Sequence, residues 1–456
     1  MEIVSFRTPG LGDQSYLLIH QGQGVLVDPQ RDIDRFLEAA AQRDVELRFV
    51  AETHLHNDYV SGGPQAALRS GAELVLPAAA APAYRHTPAF HLEDISGGRG
   101  LSLRPIHTPG HTPEHTSYLV LIEGEPAAVF SGGSLLVSSA GRPDLLGPER
   151  ARTLARHQHR SLRRLAGLPG HVELLPTHGQ GSFCTSSGAG RYTSTIAAEN
   201  TGNPLLAIDD AEQFADRLLA EPMPIPAFYQ HMGPANTLGA PPQPAAAPPL
   251  IGPGQAPDGA HLVDIRPRAE QAAGMLPGSL GIELADDFGS WAGWLLPYQA
   301  PIILVAGTGA DTEGEADETA PGAQVRQAVT QLAQIGIDSV QGVINDPGPA
   351  ATKGFELLEL SEFAARLAEP AAQLLDVRMP SEQRATPYPG AVHRFLPDLV
   401  TNGIPAGLDP ARPVLVACGS GRRAAIAASL LLRAGYRPIV LTGAGVADLR
   451  STAAAT

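Results

Sequence analysis

The chain has 456 residues, a formal net charge of −15 and a pI near 5.4, which predicts two to four domains and a surface that repels phosphate backbones and anionic lipid. Small-molecule partners are therefore expected, with no nucleic acid and no membrane. No apolar run approaches the ~18 residues of a membrane span, and the opening "MEIVSFRTPGLGDQ" lacks the basic-then-apolar order of a signal peptide, so a cytoplasmic protein is expected.

From the N-terminus, the apolar runs "GVLVDP", "LRFVAETH" and "AELVLP" end in turn formers or polar residues and alternate with helix-like segments such as "DIDRFLEAAAQR". That is the pattern of an α/β domain with its site residues at strand ends. The second run leads into "THLHNDY", which sets His54, His56 and Asp58 on alternate positions. Then follow "HTPGHTPEHTSYLV" with His111, "FSGGSLLVSSAGRPDLLG", and "LLPTHGQGSFC" with His178. His54, His56 and His111 can form a three-histidine face with open positions, and Asp58 and His178 are the candidates to add a ligand to one divalent metal. His107, His115, His157 and His159 lack further ligand spacing and are read as structural or solvated. The Gly/Ser-rich surroundings of Cys184 suggest an exposed loop beside His178, where it could carry persulfide sulfur; a plain surface or half-buried thiol is the alternative.

Residues 233–260, "GPANTLGAPPQPAAAPPLIGPGQAPDGA", are too rich in Pro, Gly and Ala for a helix or a central strand, and they close a first domain at 1–240. Beyond them the chain repeats. "HLVDIRPRAEQ" from 261 matches "QLLDVRMPSEQ" from 373, "LPGSL" from 276 matches "YPGAV" from 388, and "PIILVAGTG" from 301 matches "PVLVACGSG" from 413, all at an offset of 112. A duplicated domain follows, at 258–350 and 351–456. The first copy carries an acidic insertion, "DTEGEADETAPGA" at 311–323, read as a solvated loop.

Cys184 and Cys418 are the two cysteines, too distant for a disulfide framework. "VLVACGSGRRAAIAASLLLRAG" reads as a buried strand, a tight Gly-containing loop and a helix starting near Arg423. A thiol at that junction faces backbone N–H groups and the positive end of a helix dipole, which suits a thiolate and an anionic sulfur substrate. In the other copy Cys418 corresponds to Ala306, Arg422 to Ala310, and Arg423 lies opposite Asp311 or the end of the insertion.

The C-x-x-G-x-R spacing at Cys418, with "LLDVRMPSE" and "PGAV" before it, resembles the rhodanese sulfurtransferases. The resemblance implies two α/β rhodanese-like domains, the first without its nucleophile. It makes Cys418 and Arg423 catalytic and puts Gly419, Ser420, Gly421 and Arg422 around the anionic substrate. Residues 1 to about 235 resemble the metallo-β-lactamase fold, an αββα sandwich whose metal ligands would be His54, His56, His111, Asp58 and His178. Tyr59 stands where that family has a second-metal histidine, and Gly133 where it has a bridging aspartate, which disfavours a binuclear hydrolase of the glyoxalase II type.

"GRPD" at 141–144 and "HGQGSFC" at 178–184 further resemble persulfide dioxygenases fused to rhodanese domains, and this places Arg142 among the substrate-binding residues. That resemblance implies oxidation of a low-molecular-weight thiol persulfide to sulfite on a mononuclear Fe(II), with zinc the alternative metal. His54 and His111 match two of its iron ligands, and Gly133 replaces the third. Sulfite or thiosulfate would be the other partners, and a homo-oligomer is compatible with the sequence. The competing readings are a metal-dependent thioester hydrolase and a sulfur relay whose N-terminal domain is a scaffold.

Overall fold

The computed structural model describes residues 1–185, 191–220, 222–244, 247–307, 321–370 and 372–454. Most of the acidic insertion, with Ala310 and Asp311, lies outside them. The chain divides into two compact units, residues 1–243 with the short segment 333–336, and residues 244–332 with 337–456. The boundary falls inside the Pro-rich stretch. Among the described residues no helix is long and apolar enough to cross a membrane.

The first unit is built on two six-stranded sheets. One runs in chain order through Glu2–Thr8, Asp13–His20, Gln23–Val27, Glu46–Ala51, Glu73–Pro77 and Thr87–Ala89. The other is ordered Ser194–Thr195, Glu173–Pro176, Glu125–Gly132, Thr116–Ile122, Leu101–His107 and Ile95–Gly98. Successive side chains of a strand point to opposite faces, and Asp13–His20 uses both. Tyr16 and Leu18 join Phe49, Tyr118, Val120 and Phe130 in the core between the sheets. Leu17 and Ile19 pack outward with Phe36, Ala66 and Ala67 of the helices Asp34–Ala41 and Gly63–Ser70. The second sheet is covered by Pro148–Ala166 and Ala211–Leu219, whose Leu162, Leu165 and Phe214 meet Leu119, Val129 and Leu174. The expected αββα sandwich results.

One element differs from expectation. The stretch from 233 begins inside a helix, Tyr229–Leu238, despite Pro234. Asn236 explains it: its Nδ2 donates to the carbonyls of His56 and Tyr59, both at 2.8 Å, and its Oδ1 accepts from Ser61 N–H at 2.8 Å. Three buried hydrogen bonds outweigh the proline's local penalty.

The second unit holds two parallel sheets of matching strand order. One sheet is ordered Leu280–Gly281, His261–Asp264, Ile302–Val305, Val340–Ile344. The other is ordered Val392–His393, Gln373–Asp376, Pro413–Ala417, Arg437–Leu441, with Glu356–Leu358 added at the edge. All their pairings are parallel, and the central strands are continuous apolar runs, as burial on both faces requires. Each sheet repeats a buried staple, Arg266 to Asp264 at 2.6 Å and Arg378 to Asp376 at 2.7 Å. Asp376→Ala would leave the Arg378 guanidinium, which is 3% exposed, without a counter-charge and bonded only to Thr386, and should lower the stability of that domain by about 3 kcal/mol in denaturant titration.

Candidate metal centre and thiol loop

The strand ends of both sheets deliver His54, His56, Asp58, His111 and His178 to one buried cluster. Their second-nitrogen contacts determine which atoms face inward. His54 Nδ1 lies 2.9 Å from Thr53 Oγ1, whose own proton goes to Asp28 Oδ2, so the imidazole must be the donor. His111 Nδ1 donates to the Arg142 carbonyl at 2.8 Å, and His178 Nδ1 to Asp13 at 2.8 Å. Each ring therefore carries its proton on Nδ1 and presents a lone pair on Nε2. Burial, then the neighbouring imidazoles, hold His54 and His111 well below the ordinary histidine range. His178 is lowered too, by burial against the pull of Asp58. All three are neutral, as ligation demands.

The Nε2 atoms of His54 and His178 face each other at 3.4 Å, two lone pairs with no proton between them. His111 Nε2, His56 Nδ1 and Asp58 Oδ1 are buried without a partner. A cation among them would take up these lone pairs in sets of three, so the residues fit a metal. The ligand atoms of His54, His111 and His178 lie within 4.8 Å of one another, as do those of His56, Asp58 and His178. These two sets share His178, and a third set, Asp28, His54 and His56, shares His54 with the first and His56 with the second.

The second-metal position is filled by protein. Tyr59 stacks on His56 with ring centroids 4.2 Å apart, and its hydroxyl bonds His56 Nε2 at 3.0 Å and the Asp28 carbonyl at 3.1 Å. At the bridging position, a Cβ on Gly133 would lie 2.3 Å from His111 Cδ2. The imidazole occupies the space a bridging carboxylate would need. His115 proves structural: its Nε2 accepts from Gly133 N–H at 2.9 Å, and burial pushes it down to about 3.

Two expectations are corrected. Arg142 does not face a substrate: it is buried, bonds Asp144 through two nitrogens at 2.7 Å, and donates to the carbonyls of Met223, Phe183 and Pro224. It is a clamp on the loop behind the metal cluster. Cys184 is not exposed: it is fully buried, donates to Asp58 Oδ2 at 3.3 Å and lies 3.7 Å from the Tyr229 hydroxyl. Burial and the carboxylates of Asp58 and Asp13 push its thiol well up. A cleft of about 650 Å³, bounded among others by Leu55, Asn57, Thr112, Arg150 and Tyr229, adjoins this corner. Asp13, Asp28, Tyr229 and Asn236 escaped the sequence reading because each acts through a distant partner; the strand-end position of Asp28 in "VLVDP" was the one available signal.

In the second unit, Cys418 ends the strand Pro413–Ala417 as expected, and the helix runs Arg422–Arg433. Gly421 takes φ +92°, where a side chain is strained, and aims its N–H at Cys418 Sγ at 3.1 Å. Arg423 grips Glu382 through two nitrogens at 2.5 and 2.8 Å, and Arg422 pairs with Asp287 at 2.9 Å. Both arginines expected to hold an anionic substrate are thus already shared with carboxylates. Gly419 and Ser420 complete the loop, and Ala306 is buried at the end of Ile302–Val305 in the thiol-free sheet.

Residues 9–178 match the metallo-beta-lactamase superfamily model, and residues 359–448 match the rhodanese-like domain model. A probable metallo-hydrolase of Burkholderia pseudomallei is 28% identical over 238 residues, 44% of this chain and 78% of that protein. The hydroxyacylglutathione hydrolase of Aeromonas hydrophila is 32% identical over 36% of this chain and 59% of its own length, so the match leaves over a third of it uncovered. Among solved structures, a metallo-beta-lactamase from Staphylococcus aureus subsp. aureus COL is 26% identical, with a TM-score of 0.66 over 76% of this chain and 99% of that one. ETHE1 from Myxococcus xanthus is 28% identical over 52% of this chain and 98% of that one, with a TM-score of 0.45. The chain joins an N-terminal domain of metallo-β-lactamase fold to a C-terminal rhodanese-like domain.

The crowding at Gly133 reverses what ligand counting alone suggests. Gly133→Asp would supply the missing carboxylate, but it should displace the His111 ring and weaken metal binding by about tenfold or more. Metal titration of the two proteins checks this, and tighter binding by the aspartate variant would refute it.

Proposed function

We propose that the chain is a two-centre enzyme of sulfur metabolism. The N-terminal domain oxidises a low-molecular-weight thiol persulfide, with O2 and water, to the thiol and sulfite, and the C-terminal domain transfers sulfane sulfur through Cys418. One observation supports the first half: Tyr59 and the His111 ring fill the places that a second-metal histidine and a bridging aspartate take in the resembled family. The "GRPD" and "HGQGSFC" segments add their resemblance. Iron(II), held by His54, His111 and His178 with Asp58 beside them, would supply the redox chemistry with O2. The chain's own residues keep the imidazoles neutral and oriented, exclude bulk water through full burial, and offer the adjoining cleft for the body of the thiol.

In the second half the Cys418 thiolate attacks the outer sulfur of thiosulfate. The S–S bond breaks, sulfite leaves with the bonding pair, and Cys418 holds a persulfide that an acceptor thiolate, or sulfite itself, then takes. The Gly421 N–H and the helix N-terminus stabilise the thiolate and the persulfide anion. Covalent fusion raises the local concentration of one centre's product at the other.

A metal-dependent thioester hydrolase is the second reading, favoured by the hydrolase relatives and by a three-histidine donor set of the kind that also serves zinc. Metal analysis of the purified chain separates the two. About one iron per chain with persulfide-dependent O2 uptake supports the dioxygenase; zinc with thioester hydrolysis replaces it. At the other centre, Cys418→Ser should abolish sulfur transfer from thiosulfate to cyanide while leaving the unfolding midpoint unchanged, because a serine hydroxyl does not ionise near neutral pH. Transfer at the wild-type rate would move the nucleophile elsewhere.

A further inference from the structure

The thiol-free middle domain reaches the Cys418 loop. Arg268 Nη1 donates to the Ser420 carbonyl at 3.3 Å, and a Cβ on Gly421, the residue whose N–H touches Sγ, would lie 3.0 Å from that same nitrogen. Glu283 fixes the guanidinium from behind, at 2.7 Å to both Nε and Nη2. One residue further along the loop, Asp287 holds Arg422 at 2.9 Å, and Trp291 Nε1 pins the other Asp287 oxygen at 2.9 Å. With Arg423 and Glu382, three arginines and three carboxylates surround the loop, so their charges cancel. Two of those arginines answer to carboxylates of the middle domain.

We propose that the middle domain sets the charge at the mouth of the Cys418 site, Arg268 drawing in doubly charged sulfur donors such as thiosulfate and Asp287 opposing them. The inference rests on the sulfur-transfer reading given above. Arg268 and Asp287 are positioning and specificity residues: neither takes part in the S–S exchange. Loss of Arg268 leaves Glu283 unpaired and the mouth one charge more negative. Loss of Asp287 frees Arg422 and leaves the mouth one charge more positive. A domain that only propped the loop would weaken the site in the same direction for both.

The test uses the full-length chain. Arg268→Ala should raise the KM for thiosulfate about three- to fivefold, Asp287→Ala should lower it by about twofold, and kcat should stay within about twofold in both, the scale of part-exposed charge contacts. Arg268→Lys should recover most of the loss, and the differences should shrink at high salt. A second readout needs no turnover: the rate of alkylation of Cys418 by anionic iodoacetate relative to neutral iodoacetamide, followed by mass spectrometry of the Cys418 peptide. That ratio should fall in Arg268→Ala and rise in Asp287→Ala. Shifts of the same sign in both variants, or ratios equal to wild type, overturn the proposal. Absence of sulfur transfer in the wild type would instead overturn the sulfur-transfer reading, and the alkylation ratio would still report on the charges.

Discussion

The histidine cluster depends on one buried carboxylate, Asp28. Its Oδ1 accepts from Thr53 N–H at 2.7 Å, and its Oδ2 accepts from Thr53 Oγ1 at 2.7 Å and from Thr177 Oγ1. Thr53 follows a strand of the first sheet and Thr177 a strand of the second, so a single side chain fastens the two layers together at the site. The neighbours of those threonines are His54 and His178. By taking the Thr53 proton, Asp28 forces His54 to donate through Nδ1 and thereby aims the Nε2 lone pair at the centre of the cluster. Burial works to raise its pKa, but His56 and the hydrogen bonds prevail and keep it charged. Its backbone at φ 51° is strained for a non-glycine residue, and the surrounding bonds hold it there.

Much of this was legible in the chain because the informative residues are contiguous. The loop from Cys418 to Arg423 is one short segment, so its strand, turn and helix could be read directly. The histidine segments follow strands in a fixed order, so the members of the cluster could be read too, but not their grouping: His54 and His111 close on His178 where a face with His56 was expected. Contacts across long sequence separations were invisible. Nothing near Asn236 announces that it bonds the loop 56–61, and the Pro and Gly around it argue against the helix it occupies. The glycines and serines near Cys184 suggest exposure, whereas Arg142, Asp58 and Tyr229 enclose it. The charges that face the Cys418 loop from Arg268 and Asp287 come from a repeat that local reasoning dismisses for lacking a thiol.

The two repeats also separate what the fold needs from what the chemistry needs. Both keep the aspartate–arginine staple, the parallel strand order and the buried residue after the third of the four matched strands. They differ at that residue, alanine in one and cysteine in the other. The staple therefore belongs to folding, since it is present where no thiol is. In the N-terminal domain Asp28 ties the two sheets together through Thr53 and Thr177, whereas His56 Nδ1 and His111 Nε2 have no hydrogen-bond partner.

Asn236 gives the order of synthesis a physical meaning. The backbone of His56, Tyr59 and Ser61 is secured by a side chain far along the chain, in the last helix before the Pro-rich stretch. As the chain leaves the ribosome, both sheets can form while that helix is still unmade, and their loop with its ligands stays untied. The loop from His56 to Ser61 is tied down only when the final helix arrives.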